Sequence, residues 1–182
     1  MDVKEAISRR RAYRDLVPVE ITDDLLRELG EAARLAPSCF NNQPWKFVFA
    51  RSPEALAKVH ATLKKGNEWV KGASLIAAAF ARKENDCVIK EREYYLFDLG
   101  QAVAMMDLRA VELGLATHPI AGFDNEAVRV ALGIPEGNLV LTLVIFGKKG
   151  PANEEPRPPR LAPENIYAVD AYNDKLAVKP QR

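Results

Sequence analysis

Apolar positions along the chain follow two rhythms, one of three- and four-residue spacings and one of short unbroken runs, and their alternation sets out the elements. Val3, Ala6 and Ile7 share one face of a short N-terminal helix. After Pro18, Thr22 stands as an N-cap with Asp23 and Asp24 in the first turn, and Leu25, Leu26, Leu29, Ala32, Ala33 and Ala36 form the inner stripe of a second helix. Lys46 to Ala50 is short and β-favouring and predicts a strand. Ser52 and Pro53 then open a helix with Leu56, Val59 and Leu63 inward, which Gly66 stops. Ser74 to Ala81 is apolar throughout, the pattern of a strand buried on both faces, which a buried helical turn shares. The longest helical pattern lies within Asn85 to Leu113, and Gly114 is its C-cap. Leu115 to Phe123 reads as a connection. Asp124 caps a short helix carrying Ala127, Val128 and Ala131, and Leu139 to Phe146 is the clearest buried strand.

Beyond Gly150 the rhythm stops. Six of the twelve prolines fall in the last 32 residues, and only Ile166 to Val169 reads as a strand. Such a tail cannot build a core of its own: it is either a disordered end or an extended arm ordered by another subunit. The chain of 182 residues therefore reads as one domain, with residues 1–150 folded and residues 151–182 an arm belonging to it.

Charge and cysteine content narrow the classes. A net charge of +1 gives no global attraction to nucleic acid or an acidic membrane. The longest apolar run is too short to span a bilayer, and the first residues lack the apolar core of a signal peptide. Cys39 and Cys87 are too few and too far apart to read as a disulfide framework. Cys39 reads as a small buried thiol, and a reduced, cytoplasmic setting is expected.

Two stretches are richer in chemistry than structure requires. Arg10, Arg11 and Arg14 place three guanidinium groups at a helix end, suited to bidentate contacts with a phosphate, although a solvated basic turn has the same composition. Ala36 to Trp45 gathers Ser38, Asn41, Asn42 and Gln43 between Pro37 and Pro44, a polar helix-to-strand connection that also reads as a simple helix stop. His60 and His118 have no partner at a metal-ligand spacing, and no metal site is expected. With few side chains available as acid, base or nucleophile, a reaction here points to a cofactor that brings its own chemistry.

Taken in order, Arg10-Arg11-Ala12-Tyr13-Arg14, Ala36-Pro37-Ser38 with Asn41 and Gln43-Pro44-Trp45, Asp98-Leu99-Gly100-Gln101-Ala102, Gly114-Leu115, Pro119-Ile120-Ala121-Gly122-Phe123 and Gly147-Lys148 resemble the FMN-dependent nitroreductase family. The resemblance implies an α+β fold, a central and mainly antiparallel sheet wrapped by helices, in an intertwined homodimer with FMN at the subunit interface. By position it assigns Arg10, Arg11 and Arg14 to the flavin phosphate and ribityl chain, with Lys148 and Arg160 completing the phosphate site. Pro37, Ser38 and Asn41 would reach the flavin from the other subunit. Pro119, Ile120, Ala121 and Gly122 would lie over the ring, a backbone N–H of Ala121 or Gly122 meeting flavin N5. Asn67 and Lys71 are the candidates for its pyrimidine edge. The family's usual serine is Ala12 here, leaving a backbone contact, and its frequent acidic loop residue is Ala121.

The resemblance implies an oxidoreductase in which NADH or NADPH reduces bound FMN and an acceptor such as a nitroaromatic or quinone then reoxidises it by a ping-pong mechanism. No catalytic side chain is assigned, since flavin N5 carries the hydride. Dehalogenation or flavin cleavage is the alternative within the family, and a nucleic-acid-binding module using the N-terminal arginines is the alternative outside it.

Overall fold

Leu75–Ala81 is buried at every position, and this strand sits inside the five-stranded sheet around which the molecule is built in the computed structural model. Residues 1–153 and 160–177 are described; Pro156, Pro158, Pro159 and Pro180 of the expected arm lie outside them. In chain order the elements are α1 (Val3–Arg9), β1 (Leu16–Val17), α2 (Asp23–Arg34), β2 (Lys46–Ala50), α3 (Pro53–His60), β3 (Leu75–Ala81), β4 (Val88–Ile89), β5 (Arg92–Glu93), α4 (Tyr94–Glu112), β6 (Ala116–Ile120), α5 (Asn125–Ala131) and β7 (Leu139–Lys149). Every strand pairing is antiparallel: β2 with β3, β3 with β7, and β7 with β6 and β1, while β4 and β5 form a separate hairpin. The α+β architecture is the one the resemblance implies.

Alternation along β3 divides the core in two. Leu75, Ala77, Ala79 and Ala81 face α2 and α4, meeting Leu29, Leu99, Ala102 and Met106, whereas Ile76, Ala78 and Phe80 face α3 and α5 with Val59 and Val128. The register shifts between Ala79, opposite Thr142, and Phe80, opposite Val140. This bulge takes up Leu141 and keeps Val140, Leu143 and Ile145 on one face, and without it the start of β7 would turn inside out.

The capping residues perform as their chemistry requires. Thr22, Ser52 and Asp124 each accept a backbone N–H three residues on, opening α2, α3 and α5. Helix α4 is the most deeply buried. Its apolar stripe runs through Leu99, Ala102, Met106 and Ala110, and at 100° per residue Asp98 and Asp107 fall on the two opposite margins of that stripe. Both carboxyls are buried.

Three expectations are corrected. Leu115 to Phe123 is not a plain connection, because Ala116–Ile120 pairs with Leu143 to Gly147 as β6; Pro119 fits there since β6 is at an edge and needs no donor on its outer side. Ile166 to Val169 is not a strand: Pro163 starts a 3-10 turn, its carbonyl accepts from the Ile166 and Tyr167 N–H groups, and Asp170 has a φ of 63°. Cys39 is not a free thiol. It is joined to Cys87 in a disulfide with the Cα atoms 6.1 Å apart, a pairing across 48 residues that becomes visible only when the fold brings the polar loop against the segment ahead of α4.

Candidate functional site

Arg10, Arg11 and Arg14 follow α1 in an irregular stretch, where Arg11 parts from the other two. Arg10 is near enough to both Asp107 and His118 to act electrostatically on each, and Arg14 acts likewise on His118. Arg11 turns elsewhere, lining with Arg9, Tyr13, Gly114 and Lys149 a groove of about 230 Å³. The Lys149 ammonium lies 5.5 Å from the centre of the Tyr13 ring. Lys148 belongs to the same neighbourhood because β1 sets Val17 opposite it, two residues after Asp15. Asn153 completes the fixing of this turn: its side-chain oxygen accepts from the Arg14 and Asp15 N–H groups at 3.3 and 3.1 Å, and its amide nitrogen donates to the Asp15 carbonyl.

His118 lies against this turn. Its Nδ1 is 2.9 Å from the Tyr13 carbonyl, which can only accept, so Nδ1 carries the proton, and its ring stacks on Trp69 at 4.7 Å and 22°. Burial holds the imidazole below its ordinary pKa, the Arg14 and Arg10 charges add to this, and the Tyr13 carbonyl opposes it. Asp107 accepts a short hydrogen bond from the Thr117 hydroxyl, and burial pushes its carboxyl up to about 6 against the lowering effect of Thr117 and Arg10.

The loop after β6 is held by its neighbour. Gly122 gives its carbonyl to the Lys64 N–H at 2.9 Å and to the Asn67 side-chain amide at 3.0 Å, and a Cβ on Gly122 would stand 2.1 Å from that amide nitrogen. The close approach explains the glycine. Asn67 therefore touches the loop directly, and Trp69, two residues on, touches His118, which immediately precedes Pro119.

The polar loop Ala36 to Trp45 lies elsewhere along α4. Its Cys39 N–H donates to Asp98 at 2.7 Å, and Ser38 accepts the Gln43 N–H at 2.9 Å. Asp98 and Asp107 are nine residues apart, about 13 Å along the helix. Within one chain the loop and the arginine cluster thus lie apart, the loop bonded to α4 through Asp98 and Arg10 close enough to α4 to act on Asp107.

A family model for the nitroreductase family matches residues 7–68 and 60–148. The chain belongs to the nitroreductase family. It is 30% identical to an NADH dehydrogenase of Thermus thermophilus over 178 residues, covering 81% of this chain and 86% of that protein. A nitroreductase family protein from Clostridium novyi superposes with a TM-score of 0.78 at 25% identity, covering 86% of this chain and 89% of that one. A structure from Exiguobacterium sibiricum in complex with FMN superposes with a TM-score of 0.83 at 23% identity, covering 93% and 98%.

A phosphate-bearing cofactor of the nitroreductase family fits what is present. Arg10, Arg14 and Lys148 supply cations around one turn, and the indole Nε1 of Trp69 is buried with no hydrogen-bond partner among the described residues, a donor left for an acceptor. Of the other residues singled out in the sequence, Pro37, Asn41, Lys71, Ala121 and Arg160 are exposed, Arg160 beginning the second described stretch. Asp107, Trp69, the role of Asp98 and the contacts of His118 escaped sequence reading. All four matter through partners distant in sequence, and the one local signal was an acidic residue at each margin of an apolar helical stripe.

Proposed function

We propose that the chain is an FMN-dependent oxidoreductase that passes a hydride from NADH or NADPH to an acceptor such as a nitroaromatic or quinone, working as a homodimer. The observation that carries this reading is the convergence of Arg10 and Arg14 on the His118–Trp69 stack, next to the loop that Asn67 tethers at Gly122. When bound, FMN supplies hydride acceptance and return.

The protein supplies binding and orientation. Arg10 and Arg14, with Lys148, hold the phosphate, while Arg11 and the Ala12 backbone border it; Arg160 completes the site from the arm. Pro119 and Ile120 are fixed by β6 and lead into Ala121 and Gly122, whose backbone N–H groups orient the ring, and Lys71 serves the pyrimidine edge. Asn67 acts there through the loop it holds. Pro37, Ser38 and Asn41 serve the partner's site, which agrees with the separation of the loop from the arginine cluster along α4. No acid–base pair is needed.

Anaerobic titration of the purified protein with NADH and with NADPH, followed by a panel of nitroaromatic and quinone acceptors, tests the proposal. Bleaching of a flavin spectrum by either donor and its return on adding acceptor is expected. A colourless protein that binds no added FMN would remove it.

A further inference from the structure

Outside that site, the most heavily furnished cluster is the one around the Cys39–Cys87 disulfide. We propose that Cys39 and Cys87 form a reversible thiol–disulfide couple, reduced by dithiols, that latches the Ala36–Trp45 loop to the segment ahead of α4. Its effect on flavin rests on the proposed function; the latch itself does not.

The crosslink restrains a loop whose backbone is strained. Phe40, Asn41 and Gln43 have φ values of 47°, 59° and 50°, three residues other than glycine in the left-handed region within four positions. Asparagine tolerates that region, but a phenylalanine there is strained. Phe40 is also 89% exposed, so no packing of its side chain within this chain offsets the strain. The loop is held instead by the disulfide and a few hydrogen bonds: Cys39 N–H to Asp98, Gln43 N–H to Ser38, and Asn42 to Asp86 at 3.2 Å. Opening the S–S bond removes the one covalent restraint on a conformation its own backbone disfavours.

Both cysteines are only half-buried, so a small dithiol can reach them. The Asn42 amide also lies 3.6 Å from the Cys87 sulfur as a donor, which favours negative charge there and makes Cys87 the better leaving group. Attack is therefore expected at Cys39. A dithiol thiolate forms a mixed disulfide with Cys39 as the S–S bond breaks and Cys87 leaves as thiolate, taking up a proton. The second thiol of the reductant then displaces Cys39. The dithiol is oxidised to its disulfide, the protein gains two electrons and two protons, and both thiols are free. A buried Asp86 oxygen has no hydrogen-bond partner among the described residues, so the cluster is not fully satisfied in its oxidised form.

The test uses the full chain, oxidised and after treatment with dithiothreitol under native conditions. Alkylation and mass spectrometry count free thiols, and hydrogen exchange reads residues 36–45 and 83–93, with β3 and β7 as internal reference. Reduction is expected to free both thiols without unfolding and to speed exchange in residues 36–45 by about tenfold or more, leaving β3 and β7 unchanged. Reoxidation should restore the slow rate. A Cys39→Ser, Cys87→Ser double variant should exchange like the reduced protein whether or not reductant is present. A disulfide that yields only when β3 and β7 also open, or equal loop exchange in all three forms, overturns the proposal. These readouts stand without bound FMN. If flavin is bound, reduction should weaken its retention in the wild type alone.

Discussion

Asn67 and Gly122 approach so closely that the side-chain amide of one hydrogen-bonds the carbonyl of the other at 3.0 Å in the space where a β-carbon would stand. Gly122→Ala must displace Asn67 or the loop. Loss of one such hydrogen bond is worth about 1 kcal/mol and misplacement of the loop adds to it, so FMN affinity should fall by about tenfold or more. Asn67→Ala, which leaves the Lys64 donor in place, should have the smaller effect. Flavin fluorescence quenching measures both, and an unaltered Gly122→Ala affinity would show that the tether does not position the ring site.

Arg10→Ala combined with Arg14→Ala should leave a folded protein that retains flavin poorly. At roughly 1.5–3 kcal/mol for each charge-assisted contact, the loss should be at least about a hundredfold. Arg11→Ala, directed to the separate groove, should cost less. Equal losses for Arg10→Ala and Arg11→Ala would contradict the divergence of the two side chains.

Asp107 gives a pH dependence with a definite sign. Its folded pKa is raised from 3.8 to about 6, so folding disfavours the charged form, and the stability present at low pH is lost as pH rises towards and through 6. Two units correspond to about 3 kcal/mol. His118, lowered in the fold, acts in the opposite sense, losing stability as pH falls below its unfolded value, so the comparison must be with a variant and not with the pH profile alone. Relative to wild type, Asp107→Asn should gain roughly 2–2.5 kcal/mol between pH 4 and pH 7.5 in urea unfolding. A constant difference across that range would mean that Asp107 does not titrate there.

Truncation at residue 160 tests the arm while leaving Asn153 on its turn. Ile166, Tyr167, Val169 and Tyr172 are all exposed within one chain, and even one such side chain buried against a partner contributes about 1.5 kcal/mol. Sedimentation should show dimer dissociation strengthened by about tenfold or more, with flavin lost in parallel. An unchanged dimer that keeps its flavin would mark residues 160–182 as dispensable.

Steady-state turnover should give parallel double-reciprocal lines as acceptor concentration is varied, as the proposed ping-pong cycle requires. Intersecting lines would require both to be bound together.

Much of the fold was legible because local rules and tertiary packing agree. Thr22, Ser52 and Asp124 announce their helices, and the runs in β3 and β7 are apolar because both faces are covered. β6 was hidden because Pro119 is a breaker everywhere except at an edge. The arginine cluster was legible as composition, but its placement beside Asp107 and His118 comes from the fold, and the disulfide depends on a contact made across 48 residues. Chemistry assembled from distant segments leaves no periodic trace.

The placement of Asp98 and Asp107 on opposite margins of one apolar stripe also limits how α4 can move. Rolling the helix one way would carry Asp98 under the sheet and strip it from the Cys39 N–H; rolling it the other way would carry Asp107 under and strip it from Thr117. Either direction drives a carboxyl further into apolar surroundings, so the helix is locked against rotation from both sides by groups that a purely hydrophobic stripe would lack. Such a lock holds the polar loop and the arginine-bearing turn at a fixed angle to one another across the helix that lies between them.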